Sequence, residues 1–298
     1  MAVKYSVIIP AFNEEKAILD TLVRVKKVMG IVLKVMKQQA SQSPEYEIIV
    51  VNDASKDRTG PLLKKVKDKD IRIITHPFNK GYGASLKTGL RVARGEWIII
   101  TDADGTYPVK EIPGLLRHIP HNDMVIGART GKKVQVPLLR RPAKLMLKIL
   151  ARIVTGISIP DLNSGLRVFK KDMAMKFWNL YPQGFSFTTT LTIAALVNYY
   201  NVKFTPINYY KRKGKSSINP IKDFLNFNFL IFRVAMYFAP LKFFSPASTI
   251  LFMVGVIKGI IDVSNTGKIG IFVAIAVLFS IQIFFFGLLA DLVNKRVD

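Results

Sequence analysis

Residues 96–107 read Glu-Trp-Ile-Ile-Ile-Thr-Asp-Ala-Asp-Gly-Thr-Tyr, and this stretch decides the fold. Trp97 to Ile100 is an unbroken apolar run, which is typical of a strand buried on both faces of a parallel sheet. The run is followed by two carboxylates one residue apart, Asp102 and Asp104, and then by Gly105. Ligands of open α/β sheets bind beyond the carboxyl ends of the strands, so the stretch predicts two acidic side chains at a binding edge. The alternative is a solvated turn, since Asp and Gly are common turn residues.

The segments on either side alternate between short apolar runs and longer helical patterns. Strands are predicted at 5–9, 47–51 and 71–75, and helices of about ten residues or more separate them. Pro10 is expected to end the first strand, and Asn13 to cap the helix after it. This β-α-β-α-β-α-β order predicts a doubly wound, mostly parallel α/β sheet. The turns after the first, second and fourth strands then open on one edge, where four acidic side chains converge: Glu14, Asp53, Asp102 and Asp104.

Composition narrows the choice of partners. The chain has 298 residues, no cysteine and a net charge of +24. The charge implies an anionic partner, which is nucleic acid, a lipid headgroup surface or a phosphorylated substrate. The absence of cysteine excludes disulfides and thiolate metal sites. None of the three histidines has metal-ligand spacing, and no catalytic role is assigned to them. No secretory signal peptide is expected, because no apolar segment with a cleavage site follows Met1.

Basic amphipathic and strongly apolar segments follow in the second half of the chain, from about residue 137 onward. Residues 137–155 predict a basic amphipathic helix, either on an anionic membrane surface or packed on the sheet. Residues 218–244 predict interfacial amphipathic helices. Residues 245–263 and 269–290 predict two membrane spans joined by a tight turn. The alternative, a pair of buried core helices, would need extra chain to cover them.

This hairpin organisation has consequences for location. The domains are expected at 1–217 for a catalytic domain, 218–244 for the interfacial part and 245–298 for the hairpin with a short tail. The positive-inside rule places the catalytic domain and the C-terminus in the cytoplasm, because basic residues flank the spans and only Lys268 lies in the turn. The expected partners therefore include the lipid bilayer, and the hairpin is also a candidate surface for homo-oligomer formation.

Seven short motifs in order carry a resemblance to a known family. Four lie in the first part of the chain: residues 10–15 (Pro-Ala-Phe-Asn-Glu-Glu), 51–55 (Val-Asn-Asp-Ala-Ser), 79–84 (Asn-Lys-Gly-Tyr-Gly-Ala) and 102–105 (Asp-Ala-Asp-Gly). Three follow: residues 127–129 (Gly-Ala-Arg), 161–165 (Asp-Leu-Asn-Ser-Gly) and 212–216 (Arg-Lys-Gly-Lys-Ser). Over residues 3–220 the chain resembles family 2 glycosyltransferases of the GT-A fold, in the branch that uses polyprenyl phosphates. Dolichol-phosphate mannose synthases belong to that branch.

The resemblance implies a site for a nucleotide-sugar donor. Asp102 and Asp104 would bind Mg²⁺ or Mn²⁺, with Asp104 as the main ligand, and the ion would neutralise the departing diphosphate. Relatives often carry Gln where this chain has Thr106, which leaves a metal contact there open. The other donor-binding residues it implies are Pro10, Phe12, Glu14, Asp53 and Lys80, with Glu14 on the ribose and Asp53 on the base.

The acceptor implied by the resemblance is a polyprenyl phosphate. Guanidinium groups match phosphate oxygens bidentately, and a phosphate monoester needs little help from a general base. Asp161 is expected to act as that base or to orient the arginines, and the alternative is a simple turn. Direct attack would invert the sugar. The acceptor-phosphate candidates are Arg129, Arg140, Arg212 and Lys215.

Several alternatives stay open at this point. The donor can be of the GDP-mannose or the UDP-glucose type, and the lipid can be dolichyl or undecaprenyl phosphate. A processive polysaccharide synthase is disfavoured, because neither Trp97 nor Trp178 lies in a Gln-x-x-Arg-Trp stretch. A membrane-tethered protein that binds nucleic acid or anionic lipid would explain the charge but not the converging carboxylates, so no nucleic-acid partner is expected.

Overall fold

The computed structural model describes residues 3–37, 45–131, 151–152, 155–184, 186–212, 236–237 and 239–295. Contacts divide the chain into two compact units. One comprises residues 1–142 and 159–220, and the other comprises residues 143–158 and 221–298. The first unit holds the sheet and the second holds the C-terminal hairpin. Most of the predicted basic helix at 137–155 and most of the predicted interfacial segment at 218–244 lie outside the described residues.

A seven-stranded mixed sheet forms the centre of the first unit. Its order is β3-β2-β1-β4-β6-β5-β7, and four of the six strand pairings are parallel and two are antiparallel. Strands β1 to β4 are all parallel, whereas β6 runs antiparallel to both β4 and β5. The predicted doubly wound, mostly parallel sheet is confirmed. The strands are β1 Val3–Ala11, β2 Glu45–Asn52, β3 Ile71–Thr75, β4 Trp97–Ile100, β5 Met124–Ala128, β6 Arg167–Lys170 and β7 Val202–Pro206.

In the described part of this unit, six α-helices complete the α/β layers. They are α1 Ile18–Lys37, α2 Thr59–Lys64, α3 Tyr82–Val92, α4 Ile112–Leu116, α5 Lys171–Lys176 and α6 Phe187–Val197. Helix α1 buries one face against the sheet, where the side chains of Ile18, Val25 and Met29 are fully buried. The four residues of β4 are all buried, as expected for a strand with apolar side chains on both faces.

The chain after β1 differs from the sequence-based expectation. Pro10 does not end the strand: it lies within β1 and pairs with Val51. Asn13 does not cap a helix, because it has a φ of 57° and its side chain accepts a hydrogen bond from the amide of Lys56. Helix α1 begins only at Ile18. The intervening turn keeps Glu14 outside the helix, so its side chain is free to face the strand ends.

Direction reversal at β6 matters for the site. Ile100 at the end of β4 lies opposite Arg167 at the start of β6, and Ile126 of β5 lies opposite the same residue. The segment between β5 and β6 therefore leaves and re-enters the sheet at the edge where β4 ends. Residues just before β6 share that edge with Asp102 and Asp104.

The second unit contains two long apolar helices, α7 Pro240–Thr266 and α8 Ile271–Lys295. Both are long and apolar enough to cross a membrane by length and composition. Helix α7 starts five residues before the predicted first span and continues through Pro246. The helices approach closely at Gly255, where an added Cβ would lie 3.3 Å from the side chain of Ala276. Lys258 and Asp262, both in α7, form an i, i+4 ion pair.

Candidate functional site

The carboxyl ends of β1, β2 and β4 bring the predicted acidic residues to one edge. The amide of Asp53 donates to the carbonyl of Ala11 (2.9 Å), which joins the ends of β1 and β2. The turn after β4 is tied to helix α1, because the hydroxyl of Thr21 donates to the carbonyl of Ala103 (3.0 Å). This turn passes through Gly105, whose φ of 74° suits glycine.

Asp104 is held in one orientation by Thr106. Both the amide and the hydroxyl of Thr106 donate to Oδ1 of Asp104, at 3.0 Å and 2.7 Å. The second oxygen, Oδ2, lies 3.6 Å from Nε of Arg212. Thr106 thus orients the carboxylate and leaves Oδ2 for an ion.

Asp102 is enclosed between a tyrosine and a glycine. The hydroxyl of Tyr82 donates to its Oδ1 (2.9 Å), and a Cβ at Gly165 would lie 2.8 Å from both of its oxygens. Burial, with a further contribution from the Asp104 carboxylate, raises the pKa of Asp102 above the usual range of aspartate. Two carboxylates that destabilise each other's charge in this way favour a bound cation.

Glu14 is buried at the same edge and is bonded to Arg212. Burial raises the pKa of Glu14 to about 7, although the charge of Arg212 acts in the opposite direction. The amide of Glu14 donates to the hydroxyl of Thr59 (2.8 Å), which fixes the turn after β1. The guanidinium of Arg212 thus faces the carboxylates of both Glu14 and Asp104.

Asp53 is engaged by groups of the protein itself. Its Oδ1 is 2.7 Å from Nδ1 of His76 and accepts from the amide of Lys80 (2.8 Å), while its Oδ2 accepts from the amide of Gly81 (2.7 Å). Asp53 is 3% exposed, and these three hydrogen bonds use most of the roughly four lone-pair positions of a carboxylate. At most one position is therefore left for a ligand. In this structure Asp53 mainly shapes the loop that carries Lys80 and Tyr82.

A basic cluster borders the carboxylates. Arg129, which follows β5, pairs with Asp161 through two bonds, Nε to Oδ2 (2.7 Å) and Nη2 to Oδ1 (2.8 Å). The guanidinium also lies over the ring of Tyr209 at 5.1 Å. Arg129 and Arg212 are both close enough to Asp102 for their charges to lower its pKa against the larger effect of burial. Asp161 therefore holds the guanidinium of Arg129 in one orientation, and its role in the reaction stays a prediction.

The described residues can be tested against the predicted metal. Among them, no group of three or more His, Cys, Asp or Glu side chains is arranged to hold an ion. Mg²⁺ in nucleotide sites is commonly held by one or two carboxylates together with substrate phosphates. Asp102 and Asp104 supply hard oxygen donors and a local excess of negative charge, so this pair fits an ion that binds together with a diphosphate.

The remaining predicted residues are placed as follows. Pro10 is buried in β1, and Phe12 is half-buried in the turn after it. Nζ of Lys80 lies 5.3 Å from the ring centre of Phe78, an exposed side chain of the same loop. Arg140 and Lys215 lie outside the described residues.

Sequence reasoning missed two buried side chains that support the site. His76 bonds Asp53 and, through Nε2, the hydroxyl of Thr88 (2.9 Å). Arg167 is fully buried and donates to carbonyls of Leu162, Ser164 and Thr188, so it holds the turn that carries Asp161. The available signal for Arg167 was an arginine placed directly before the apolar residues Val168 and Phe169 of a short strand.

Comparison with known proteins agrees with this geometry. The family model "Glycosyl transferase family 2" matches residues 6–178, and the model "GtrB C-terminal hairpin" matches residues 239–295. A dolichyl-phosphate β-glucosyltransferase of Trichomonas vaginalis is 28% identical over 78% of this chain and 70% of its own. An undecaprenyl-phosphate mannosyltransferase of Micrococcus luteus is 26% identical over 71% of this chain and 86% of its own.

A solved structure supports the fold independently. Glucosyl-3-phosphoglycerate synthase from Mycobacterium tuberculosis, in complex with Mn²⁺, UDP-glucose and phosphoglyceric acid, superposes with a TM-score of 0.58. It is 14% identical and covers 78% of this chain and 79% of its own, so the likeness concerns the fold alone. The family model covers more than half of the chain, including the carboxyl ends of β1, β2, β4 and β5. The chain therefore belongs to glycosyl transferase family 2 and carries the GtrB C-terminal hairpin.

Proposed function

We propose that this glycosyltransferase moves one hexose from a nucleotide-sugar to the phosphate of a polyprenyl phosphate at the membrane. The observation that carries the proposal is the pairing of two opposite charge clusters at one sheet edge. Asp102 and Asp104 form the acidic cluster, and Arg129 and Arg212 form the basic one. A donor diphosphate with its ion suits the first, and an acceptor phosphate suits the second.

The donor side works mainly through position and charge. Asp102 and Asp104 would hold Mg²⁺ or Mn²⁺, which when bound supplies charge neutralisation for the nucleoside diphosphate as it leaves. Thr106 keeps Asp104 oriented, and the Lys80 loop, fixed by Asp53, borders the nucleotide. Glu14 would accept hydrogen bonds from the ribose.

The acceptor side needs little proton transfer. A phosphate monoester is largely dianionic at neutral pH, since its second pKa is about 6. Arg129, oriented by Asp161, would bind its oxygens, and one of them attacks the anomeric carbon as the bond to the diphosphate breaks. Attack opposite to the leaving group inverts the configuration, and the product is a polyprenyl glycosyl phosphodiester.

The hairpin would hold this site at the bilayer. In a two-span hairpin, the chain before the first helix and the chain after the second lie on the same side of the membrane. Because these flanks carry the basic residues, the positive-inside rule assigns that side to the cytoplasm. The polyprenyl relatives from Trichomonas vaginalis and Micrococcus luteus support a lipid phosphate as the acceptor. Association of hairpins into a homo-oligomer stays a prediction.

A donor panel tests the proposal. GDP-mannose, UDP-glucose and UDP-N-acetylglucosamine are each incubated with the full-length protein, Mg²⁺ or Mn²⁺, and dolichyl or undecaprenyl phosphate, and labelled sugar is extracted into the lipid phase. One donor should give labelled lipid, and chelation of the metal with EDTA should stop it. Asp104→Asn is the matched variant, which should stay folded and inactive. Absence of transfer from all donors, or full activity of Asp104→Asn, contradicts the proposal.

A further inference from the structure

The guanidinium of Arg212 lies between two acidic side chains of the donor site. Nη2 donates to Oε1 of Glu14, and Nε lies 3.6 Å from Oδ2 of Asp104. Arg212 reaches this point because the chain before it is attached to the Asp104 turn, where the amide of Tyr210 donates to the carbonyl of Thr106 (3.0 Å). A positive charge therefore already lies at the acidic cluster.

Arg212 uses the oxygen that a metal ion would need. Oδ1 of Asp104 accepts two hydrogen bonds from Thr106, and Oδ2 faces the guanidinium. An arginine and a divalent ion cannot both be closest to the same carboxylate oxygen. Binding of the ion at Asp104 must therefore displace Arg212 or be weakened by it.

Among the described residues, few hydrogen bonds hold the guanidinium of Arg212, so its displacement breaks few interactions. Nε is buried but has no hydrogen-bond partner among the described residues, and the guanidinium is 26% exposed. A fully bonded buried arginine such as Arg167 has a much larger set of interactions to lose. Arg212 is thus placed by charge more than by a complete set of hydrogen bonds.

We propose that Arg212 is a positioning residue that stabilises the acidic cluster before the donor binds and is released by the divalent ion to the acceptor phosphate. The inference rests on the proposed function, since it assigns a donor metal and an acceptor phosphate to this site. It adds an order of events: the ion and the donor bind first, and the displaced guanidinium then completes the acceptor site beside Arg129. An acceptor phosphate would meet only one of the two arginines until the ion is bound.

The test is metal affinity measured without substrates. Mn²⁺ alone is titrated into the full-length protein, and the free ion is read from its electron paramagnetic resonance signal. Arg212→Ala should bind Mn²⁺ about twofold to fivefold more tightly than the wild type, the range expected when a partly exposed ion pair no longer competes. Arg212→Gln should behave in the same way, and it serves if the alanine variant is poorly folded. Unchanged or weaker Mn²⁺ binding in both variants overturns the inference.

Two controls locate the effect. Arg94→Ala removes an arginine that pairs with Glu47 outside the site, and it should leave Mn²⁺ affinity unchanged. Adding Asp104→Asn to Arg212→Ala should abolish the tighter binding, and tighter binding that survives without Asp104 would contradict competition for that oxygen. If the donor panel gives no transfer, the proposed function fails even where Mn²⁺ binding changes as expected. If transfer occurs but Arg212→Ala leaves Mn²⁺ binding unaltered, only the present inference fails.

Discussion

Gly165 offers a way to move Asp102 without changing its chemistry. A Cβ at this position would lie 2.8 Å from both carboxylate oxygens of Asp102 and 3.0 Å from its Cγ. Ordinary contacts require roughly 3.4 Å or more, so Gly165→Ala should push the carboxylate away by about 0.5 Å. Gly165 does not adopt a positive φ, so alanine fits the backbone and the effect comes from the side chain alone.

The size of the loss can be estimated from this displacement. A misplacement of about 1 Å in a reacting site can cost about a hundredfold in rate, so half of it should lower kcat/KM for sugar transfer about tenfold. That loss corresponds to about 1.4 kcal/mol of transition-state stabilisation. The hydrogen bond from Tyr82 to Asp102, at 2.9 Å, should lengthen at the same time.

Initial rates and Mn²⁺ affinity provide the assay. Gly114→Ala is the matched control, because a Cβ there meets nothing within 4 Å, and it should leave both quantities unchanged. In an Asp102→Asn background, Gly165→Ala should add little, since both changes act on one group. Normal kcat/KM and normal Mn²⁺ affinity in Gly165→Ala would refute the assignment of Asp102 to the donor site.

Three further predictions follow from the contacts of single residues. Arg129→Ala should raise the KM for the polyprenyl phosphate at least tenfold with little change in the KM of the donor, and equal loss of both would contradict an acceptor role. Arg167→Met should lower the free energy of unfolding by about 2–3 kcal/mol, measured by chemical denaturation, because the buried carbonyls it bonds lose their partners. Glu14 has a pKa of about 7 in the folded protein against an ordinary 4.5, so folding favours its protonated form. The stability that this pKa shift contributes is complete below about pH 4.5 and is lost as the pH rises towards 7. The Tm of the wild type should therefore fall more across this window than the Tm of Glu14→Gln. Parallel curves of Tm against pH for the two proteins would contradict the raised pKa.

The sequence was most informative where local patterns are strong. The four apolar residues of β4 predicted a buried central strand, and the carboxylates after it predicted a binding edge, because both features depend on neighbours along the chain. The convergence of Glu14, Asp102 and Asp104 followed from the rule that parallel strands end at one edge. These predictions needed no knowledge of side-chain packing.

Other features depend on contacts that the chain makes over long distances. The pairing of Arg212 with Glu14 joins residues far apart in sequence, and no local pattern indicates it. The direction of β6 could not be predicted because the segment before it lacks a clear period. Asn13 was a reasonable helix cap by residue type, yet its side chain bonds the amide of Lys56 in a different turn. At Asn13 a long-range hydrogen bond overrode the local preference for a helix cap.

The reversed strand β6 has a consequence for how this enzyme can vary. The connection from β5 leaves the sheet and enters β6 at the same edge, because the two strands are antiparallel neighbours, and Arg129, just after β5, pairs with Asp161, shortly before β6. A right-handed crossover between parallel strands must pass over one face of the sheet. A connection between neighbouring antiparallel strands need not, so its length can change with only a small change in the entropy cost of loop closure. Changes in the length of this connection should therefore leave the strand register of the sheet unchanged.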